Sequence, residues 1–177
     1  ARALERSPVY GRAHLLIARS LFLTSPSQAR LEYRLAGEQD ENQLTAVINE
    51  GPRLVTSYYD ALEIAPRGPH GALVLEATSK AIATKYPATH VQTDDERLVR
   101  TPDASAPLTR KANRILHDVT EGEPWCADAA RNGCIETGMA LAKHLMETSS
   151  NLCDGYSLTS SFRAARGELD DAIKDLE

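Results

Sequence analysis

Aromatic residues, cysteine and excess positive charge are all scarce in this chain. Aromatics make up 5% of its 177 residues, three residues are cysteine, and the formal net charge is −5 with a pI of about 5.6. Proteins that bind nucleic acids present a basic surface to the phosphate backbone and often stack aromatic rings on the bases. The composition therefore predicts an acidic protein that does not bind nucleic acid.

Long apolar runs and the common catalytic motifs are also missing. No apolar stretch approaches the roughly 20 residues of a membrane-spanning helix. There is no glycine-rich phosphate loop, no pair of Cys-x-x-Cys sequences and no His-Glu-x-x-His sequence. SYYDALEIAP at 57–66 looks like the second helix of a tetratricopeptide repeat, but nothing matches it about 34 residues away on either side. We therefore predict no membrane span, no cofactor and no repeat array.

The dominant pattern in the sequence is apolar residues at three- and four-residue spacing, which marks one face of a helix. Proline and capping residues divide this pattern into segments, with a helix start predicted at Ser7-Pro8 and a helix end at Pro87. The sequence thus predicts a mainly α protein with about six to eight helices in one domain over residues 1–177. Residues 31–35 and 89–101 have some strand character and are the candidates for a minor two-stranded β-ribbon.

The segment 124–153 is the predicted centre of the fold, because it holds the only tryptophan and all three cysteines. Pro124 suits the start of a short helix, and Asn132-Gly133 suits its end. Ile135 to Thr148 then carries apolar residues along one face. We expect a helical hairpin that turns at Asn132-Gly133. A last helix, capped by Thr159 or Ser160, is expected to bury its apolar residues, namely Phe162, Ala165, Leu169, Ala172, Ile173 and Leu176.

The spacing of the cysteines limits how they can pair. On a continuous helix Cys126 and Cys134 would lie about 12 Å apart, beyond the roughly 4.4–6.8 Å between Cα atoms that a disulfide spans. Cys134 and Cys153 would lie at opposite ends of the longer helix. We therefore expect either a Cys126–Cys153 disulfide with Cys134 free, in a secreted mature chain, or three reduced thiols in a cytoplasmic chain.

Two proline-bounded segments, 66–71 and 87–107, are the predicted surface loops, and the second contains an acidic run. Loops on a rigid frame carry binding residues more often than the frame itself. We therefore expect a non-catalytic interaction protein that presents these loops to a protein partner. The candidate binding residues are Arg67, His70, His90, Asp94, Asp95 and Glu96.

One alternative is carried by His117-Asp118 in the stretch ANRILHDVTEG, residues 112–122. The pair resembles the central dyad of the HD-type metal phosphohydrolases, which are all-helical. The resemblance implies that His117 and Asp118 are catalytic metal ligands and that the metal activates water for attack on a phosphate. The remaining ligands would come from other helices, from His14 or His90 and from Asp154 or Asp170.

A second alternative uses Arg34, Thr56-Ser57 and Glu96, which follow one another in the chain. Their order resembles the Arg, Ser-Thr-Ser and Glu elements of ADP-ribosyltransferases. The resemblance implies that Arg34 holds a dinucleotide and that Glu96 polarises its ribose. It also requires β-strands at 31–35 and around Thr56.

Overall fold

A computed structural model describes residues 10–150 and 152–176 of the chain. Over these residues the backbone forms ten α-helices and no strand, which confirms the mainly α prediction and exceeds the expected helix count. The predicted β-ribbon is wrong, because residues 31–35 and 89–100 are helical. The predicted start signal Ser7-Pro8 lies outside the described residues. No helix in the described ranges has both the length and the apolar character needed to cross a bilayer.

The chain divides into two compact units, Ala1–Thr101 and Pro102–Glu177, and the expectation of a single domain stays a prediction. The helices of the first unit are α1 Gly11–Leu21, α2 Pro26–Gln39, α3 Leu44–Glu50, α4 Tyr58–Ile64, α5 Pro69–Ile82 and α6 Pro87–Arg100. Those of the second are α7 Ser105–Glu121, α8 Arg131–Thr148, α9 Leu152–Arg166 and α10 Leu169–Lys174. Short 3₁₀ turns connect some of them, at Glu41–Gln43, Gly51–Leu54, Pro124–Cys126 and Asp128–Ala130.

The first unit packs around side chains that are completely buried, among them Tyr33, Val47, Ile64, Val74 and Leu75. Proline at the first turn begins three of its helices, α2, α5 and α6, because a missing N–H is not needed there. The helix α6 replaces most of the loop predicted at 87–107. The buried residues of α6 are polar, so the sequence of this region lacks the apolar periodicity that predicts a helix.

The second unit confirms the apolar stripe predicted in its longest helix. Ile135 and Leu145 of α8 are almost completely buried, and Val119 of α7 and Phe162 of α9 join them in the core. Gly138 of α8 lies directly against the Phe162 ring. The absence of a side chain at Gly138 therefore lets α8 and α9 pack closely at this point.

The predicted last helix is wrong at both ends. The helix α9 begins at Leu152, so the predicted caps Thr159 and Ser160 lie inside it, and it ends at Arg166. Gly167 has a φ of +91°, a left-handed conformation that glycine adopts readily, and the chain turns there to begin the short helix α10. Of the residues expected to be buried after this turn, Ala172 is buried, but Leu169, Ile173 and Leu176 are exposed. The turn changes the direction of the chain, so the apolar spacing of one long helix no longer applies.

The predicted hairpin turn and disulfide are also wrong. Asn132-Gly133 lies in the first turn of α8, and the chain before it forms two 3₁₀ turns on either side of Ala127, which is extended. Because this segment is not a continuous helix, the Cα atoms of Cys126 and Cys134 are only 5.8 Å apart, and the two residues form a disulfide. Cys153 is the free and exposed thiol.

The disulfide makes a prediction about stability. The two cysteines are separated by 8 positions, and closing a loop of that size stabilises a fold by about 2.5 kcal/mol in the chain-entropy treatment. We expect Cys126→Ser/Cys134→Ser to lower the free energy of unfolding by about that amount, measured by urea denaturation without reductant. Cys153→Ser is the control and should change little. A thiol assay of the denatured wild type should find one thiol before reduction and three after it, and three before reduction would contradict the disulfide.

Two glycines of α8 provide a matched pair for testing the packing of the second unit. A methyl group at Gly138 would overlap the Phe162 ring, whereas nothing lies within 4 Å of one at Gly133. We expect Gly138→Ala to destabilise the protein by about 1–3 kcal/mol, because overpacking a buried contact outweighs the gain in helix propensity. Gly133→Ala should instead stabilise it by up to about 1 kcal/mol. Equal effects at the two positions in urea denaturation would show that Gly138 is not a point of close packing.

Candidate functional site

Two of the residues predicted to bind a partner, His90 and Asp94, belong to a polar cluster between α5 and α6. The Ser79 hydroxyl donates to Asp94 Oδ1 at 2.8 Å, and His90 Nδ1 lies 2.7 Å from Ser79 Oγ and 3.0 Å from the Ser79 carbonyl oxygen. Arg97 Nη2 donates to Glu76 Oε2 at 3.0 Å. Ser79, Asp94 and Arg97 are all buried, so the acidic run is not a solvated loop.

The Ser79, His90 and Asp94 cluster has the residue types of a catalytic triad but not its geometry. In a triad the histidine accepts the serine proton, and the carboxylate holds the opposite ring nitrogen. Here the Ser79 proton is directed at Asp94, and His90 Nδ1 faces both oxygens of Ser79. The opposite nitrogen, His90 Nε2, lies 3.8 Å from Asp94 Oδ2, which is too far for a hydrogen bond. Ser79 is also inaccessible, with 0% of its surface exposed. We interpret the cluster as a polar contact that holds α6 against α5.

The other predicted binding residues of the first unit are engaged in local contacts. The Arg67 backbone N–H donates to Glu38 Oε1 at 3.0 Å, and His70 Nε2 lies 3.5 Å from Glu41 Oε1. Glu96 accepts from Arg100 Nε at 2.9 Å and from the Tyr58 hydroxyl at 3.3 Å. Asp95 is half-buried.

The loop at 66–71 is shorter than predicted, since α5 begins at Pro69. Pro66 is buried, and its carbonyl oxygen accepts from Arg100 Nη1 at 2.8 Å. Gly68, with a φ of +75°, leads the chain into α5. The predicted loop surface is therefore small and tied to neighbouring elements.

The structure does not bring the predicted metal ligands together. His117 and Asp118 are adjacent on α7, so their side chains leave the helix about 100° apart. His117 is exposed in a groove of about 570 Å³ between α7 and α9. His14 Nδ1 instead lies 2.6 Å from Glu32 Oε2. No group of three or more His, Cys, Asp or Glu side chains in the described residues is arranged to hold a metal ion. The phosphohydrolase interpretation stays a prediction that this geometry does not support.

The ADP-ribosyltransferase interpretation lacks the strands that it requires, because residues 31–35 belong to α2. Arg34 Nε lies 3.7 Å from Glu38 Oε1 in the same helix. Ser57 caps α4, where its hydroxyl accepts from the Asp60 N–H at 3.2 Å and its own N–H donates to the Asp60 carboxylate at 3.1 Å. Each of these residues has a local structural role in the described fold.

The strongest candidate site is a groove that the sequence did not reveal. It encloses about 480 Å³ between the end of α3, the 3₁₀ turn after it and the second half of α5. Its apolar lining comes from Ile48, Pro52, Val55, Ala77, Ile82 and Tyr86, and Arg53 and Lys85 supply its charges. We call it the Arg53–Lys85 groove. Its size falls within the range of about 300–1,000 Å³ that is typical of ligand sites.

Both charges of the Arg53–Lys85 groove are positive and available. Arg53 and Lys85 are exposed, and neither makes an ion pair or hydrogen bond with another described residue. Lys85 Nζ lies 5.2 Å from the centroid of the Tyr86 ring, a cation–π distance that places its ammonium beside an aromatic surface. No carboxylate lines the groove. The arrangement suits a ligand that combines negative charge with apolar groups.

A nearby carboxylate, Glu50, makes its hydrogen bonds with other partners, and it interacts with Arg53 through charge alone. Arg19 donates to both Glu50 oxygens, at 2.6 and 3.0 Å, and the buried Tyr33 hydroxyl donates to Oε2 at 2.8 Å. The hydrogen bond from Arg19 holds the pKa of Glu50 below its usual value against the opposing effect of burial, and Tyr33 adds to the lowering. Burial of the Tyr33 hydroxyl raises its pKa, and the hydrogen bond to Glu50 raises it further by a smaller amount.

The groove has the size and the mixed apolar and charged lining of a binding site. Its lining holds no His, Cys, Asp or Glu, and the hydroxyl of Thr56 donates to Asp60 Oδ2 at 2.8 Å. Sequence analysis missed the groove because its two cations, Arg53 and Lys85, are far apart in the chain. Gly51-Pro52, a pair typical of a break between helices, lies at the edge of the groove.

Comparison of the chain with protein-family models and with curated proteins finds no match.

Replacing Glu50 by glutamine tests the network behind the groove. Because folding lowers the pKa of Glu50, its ionised form stabilises the wild type above the usual glutamate pKa of about 4.3. That contribution is lost as the pH falls through the lower pKa of the folded state. We expect the wild type to be more stable than Glu50→Gln at neutral pH, and the difference in free energy of unfolding to shrink below about pH 4.

The matched control is Glu147→Gln, because Glu147 and Lys143 are exposed and 3.9 Å apart, a contact that contributes little. Its stability should stay close to that of the wild type at every pH in urea denaturation. A Glu50→Gln difference that is independent of pH would show that Glu50 does not act through its charge.

Proposed function

We propose that the protein is a non-catalytic helical binding module that takes up an acidic and partly apolar segment of a protein partner in the Arg53–Lys85 groove. The observation that carries the proposal is the pair of available cations at the edge of an apolar groove. This site takes the place of the predicted proline-bounded loops. Most of the 87–107 loop is helix α6, and the loop at 66–68 is held by its neighbours.

The two parts of the groove have different roles in this proposal. The apolar lining provides affinity, because covering it removes apolar surface from water at about 25 cal/mol per Å². Arg53 and Lys85 select for carboxylates and accelerate encounter, since exposed charges contribute more to specificity and association rate than to affinity. A segment that lacks either feature should therefore bind weakly.

The lining favours a peptide over a substrate undergoing chemistry. General acid–base and nucleophilic catalysis most often use a positioned His, Cys, Asp or Glu. The groove lining has none of these, so its Lys85 and Tyr86 have no acid or base partner within it. The Arg53 and Lys85 side chains are long and exposed, which suits contact with carboxylates on a flexible segment.

A labelled peptide that alternates glutamate with leucine and phenylalanine tests the proposal by fluorescence anisotropy. We expect it to bind the wild type, and to bind Arg53→Glu/Lys85→Glu at least about tenfold more weakly, a loss of about 1.4 kcal/mol, because the reversals turn attraction into repulsion. Binding should weaken as salt is added, since exposed charges are screened.

The control variant Lys143→Glu/Lys174→Glu makes the same change in net charge in the second unit, where both lysines are exposed, and should bind the peptide like the wild type. A peptide with arginine in place of glutamate should not bind. Equal affinity of the groove variant and the wild type for the acidic peptide would overturn the proposal.

A further inference from the structure

The second unit exposes its only tryptophan on a segment that the structure holds in place. The Trp125 segment, residues 121–130, starts at the last residue of α7, and Trp125 itself is 56% exposed. Gly122, with a φ of +70°, ends α7, and the Glu123 N–H donates to the Asp118 carbonyl oxygen at 2.9 Å. The Cys126–Cys134 disulfide then ties the segment to α8. The indole is therefore presented to solvent from an anchored backbone.

The charges of the Trp125 segment are all negative. Glu121, Glu123 and Asp128 are exposed, and none of them forms an ion pair or hydrogen bond through its side chain with the described part of the chain. The cation that follows, Arg131, is directed elsewhere, since its guanidinium donates to the carbonyl oxygens of Val119 at 2.7 Å and Ala165 at 2.9 Å. The segment thus combines an exposed aromatic ring with available carboxylates.

This combination is the one that the Arg53–Lys85 groove is suited to accept. We propose that the groove of one copy binds the Trp125 segment of a second copy of this chain. The inference rests on the proposed function and names its partner. Trp125 covers the apolar lining, where a buried indole is among the side chains that contribute most to interface affinity. Glu121 and Glu123 face Arg53 and Lys85.

Another exposed acidic and apolar segment, α10, fits the groove less well. Its exposed side chains include Leu169 and Ile173 next to Asp170 and Asp171. Lys174 Nζ donates to Asp171 Oδ1 at 3.0 Å, so part of its negative charge is already compensated. The Trp125 segment retains its full charge and offers the larger aromatic surface.

The two surfaces in this contact are different, so the association is head-to-tail. Such heterologous contacts build closed rings or open chains and do not stop at a dimer unless the geometry closes. Each copy contributes one groove and one Trp125 segment. A variant that loses one of these surfaces keeps the other, which makes the contact separable by mutation.

The test uses two full-length variants that each lack one surface. Arg53→Glu/Lys85→Glu reverses the two charges of the groove. Glu123→Lys/Trp125→Ala reverses one charge of the Trp125 segment and removes its indole, and both of these side chains are exposed, so no core contact is lost. In sedimentation velocity, the mass of the wild type should rise with concentration, and each variant alone should remain monomeric. A one-to-one mixture of the two variants should form a dimer and nothing larger, because only one functional contact remains.

A wild type that stays monomeric at all concentrations, or a mixture that stays monomeric while the wild type associates, would overturn the inference. The control Lys143→Glu/Lys174→Glu should associate like the wild type. The acidic peptide separates the two proposals. If the peptide binds the groove while the wild type stays monomeric, the inference fails and the proposed function stands. If neither occurs, both fail.

Discussion

The first unit depends on the hydrogen bonds that Tyr33 and Arg19 donate to the Glu50 carboxylate. A tyrosine hydroxyl buried in a core must find a hydrogen-bond partner, because an unsatisfied polar group is costly there. Glu50 provides that partner for Tyr33 at 2.8 Å, and Arg19 in turn neutralises Glu50. These three residues join α1, α2 and α3. Arg53, in the following turn, adds its positive charge to the lowering of the Glu50 pKa and stays exposed.

Buried polar side chains are also paired by hydrogen bonds between α5 and α6. Ser79, Asp94 and Arg97 are buried polar side chains. Ser79 donates to Asp94, and Arg97 donates to Glu76, across the two helices. Their hydrogen bonds satisfy groups that would otherwise oppose burial. The consequence is a helix pair fixed by directional contacts, next to a groove whose lining is largely apolar. Buried polar residues of the first unit thus hold its helices together, while Arg53 and Lys85 stay exposed at the groove.

The sequence predicted the helical class and the buried face of α8 at Ile135 and Leu145, because apolar periodicity is read directly from the chain. It failed where that signal was absent or misleading. The inward face of α6 is polar, so Asp94 resembled a loop residue. Cys126 pairs with Cys134 because the backbone between them leaves the helix at Ala127, which the spacing did not show. The groove joins distant segments and has no local pattern at all.

The left-handed turn at Gly167 separates α10 from the body of the second unit. Ala172 is its buried apolar anchor, aided by the Ser160 hydroxyl bond to the Ala172 carbonyl oxygen at 2.7 Å and the Arg163 contact with Asp175 at 2.8 Å. Detaching so few contacts exposes little apolar surface, so α10 opens at a small fraction of the free energy of global unfolding. Amide hydrogens of α10 should therefore exchange with solvent long before those of α8, and a protease should cut next to Gly167 before it cuts within α8.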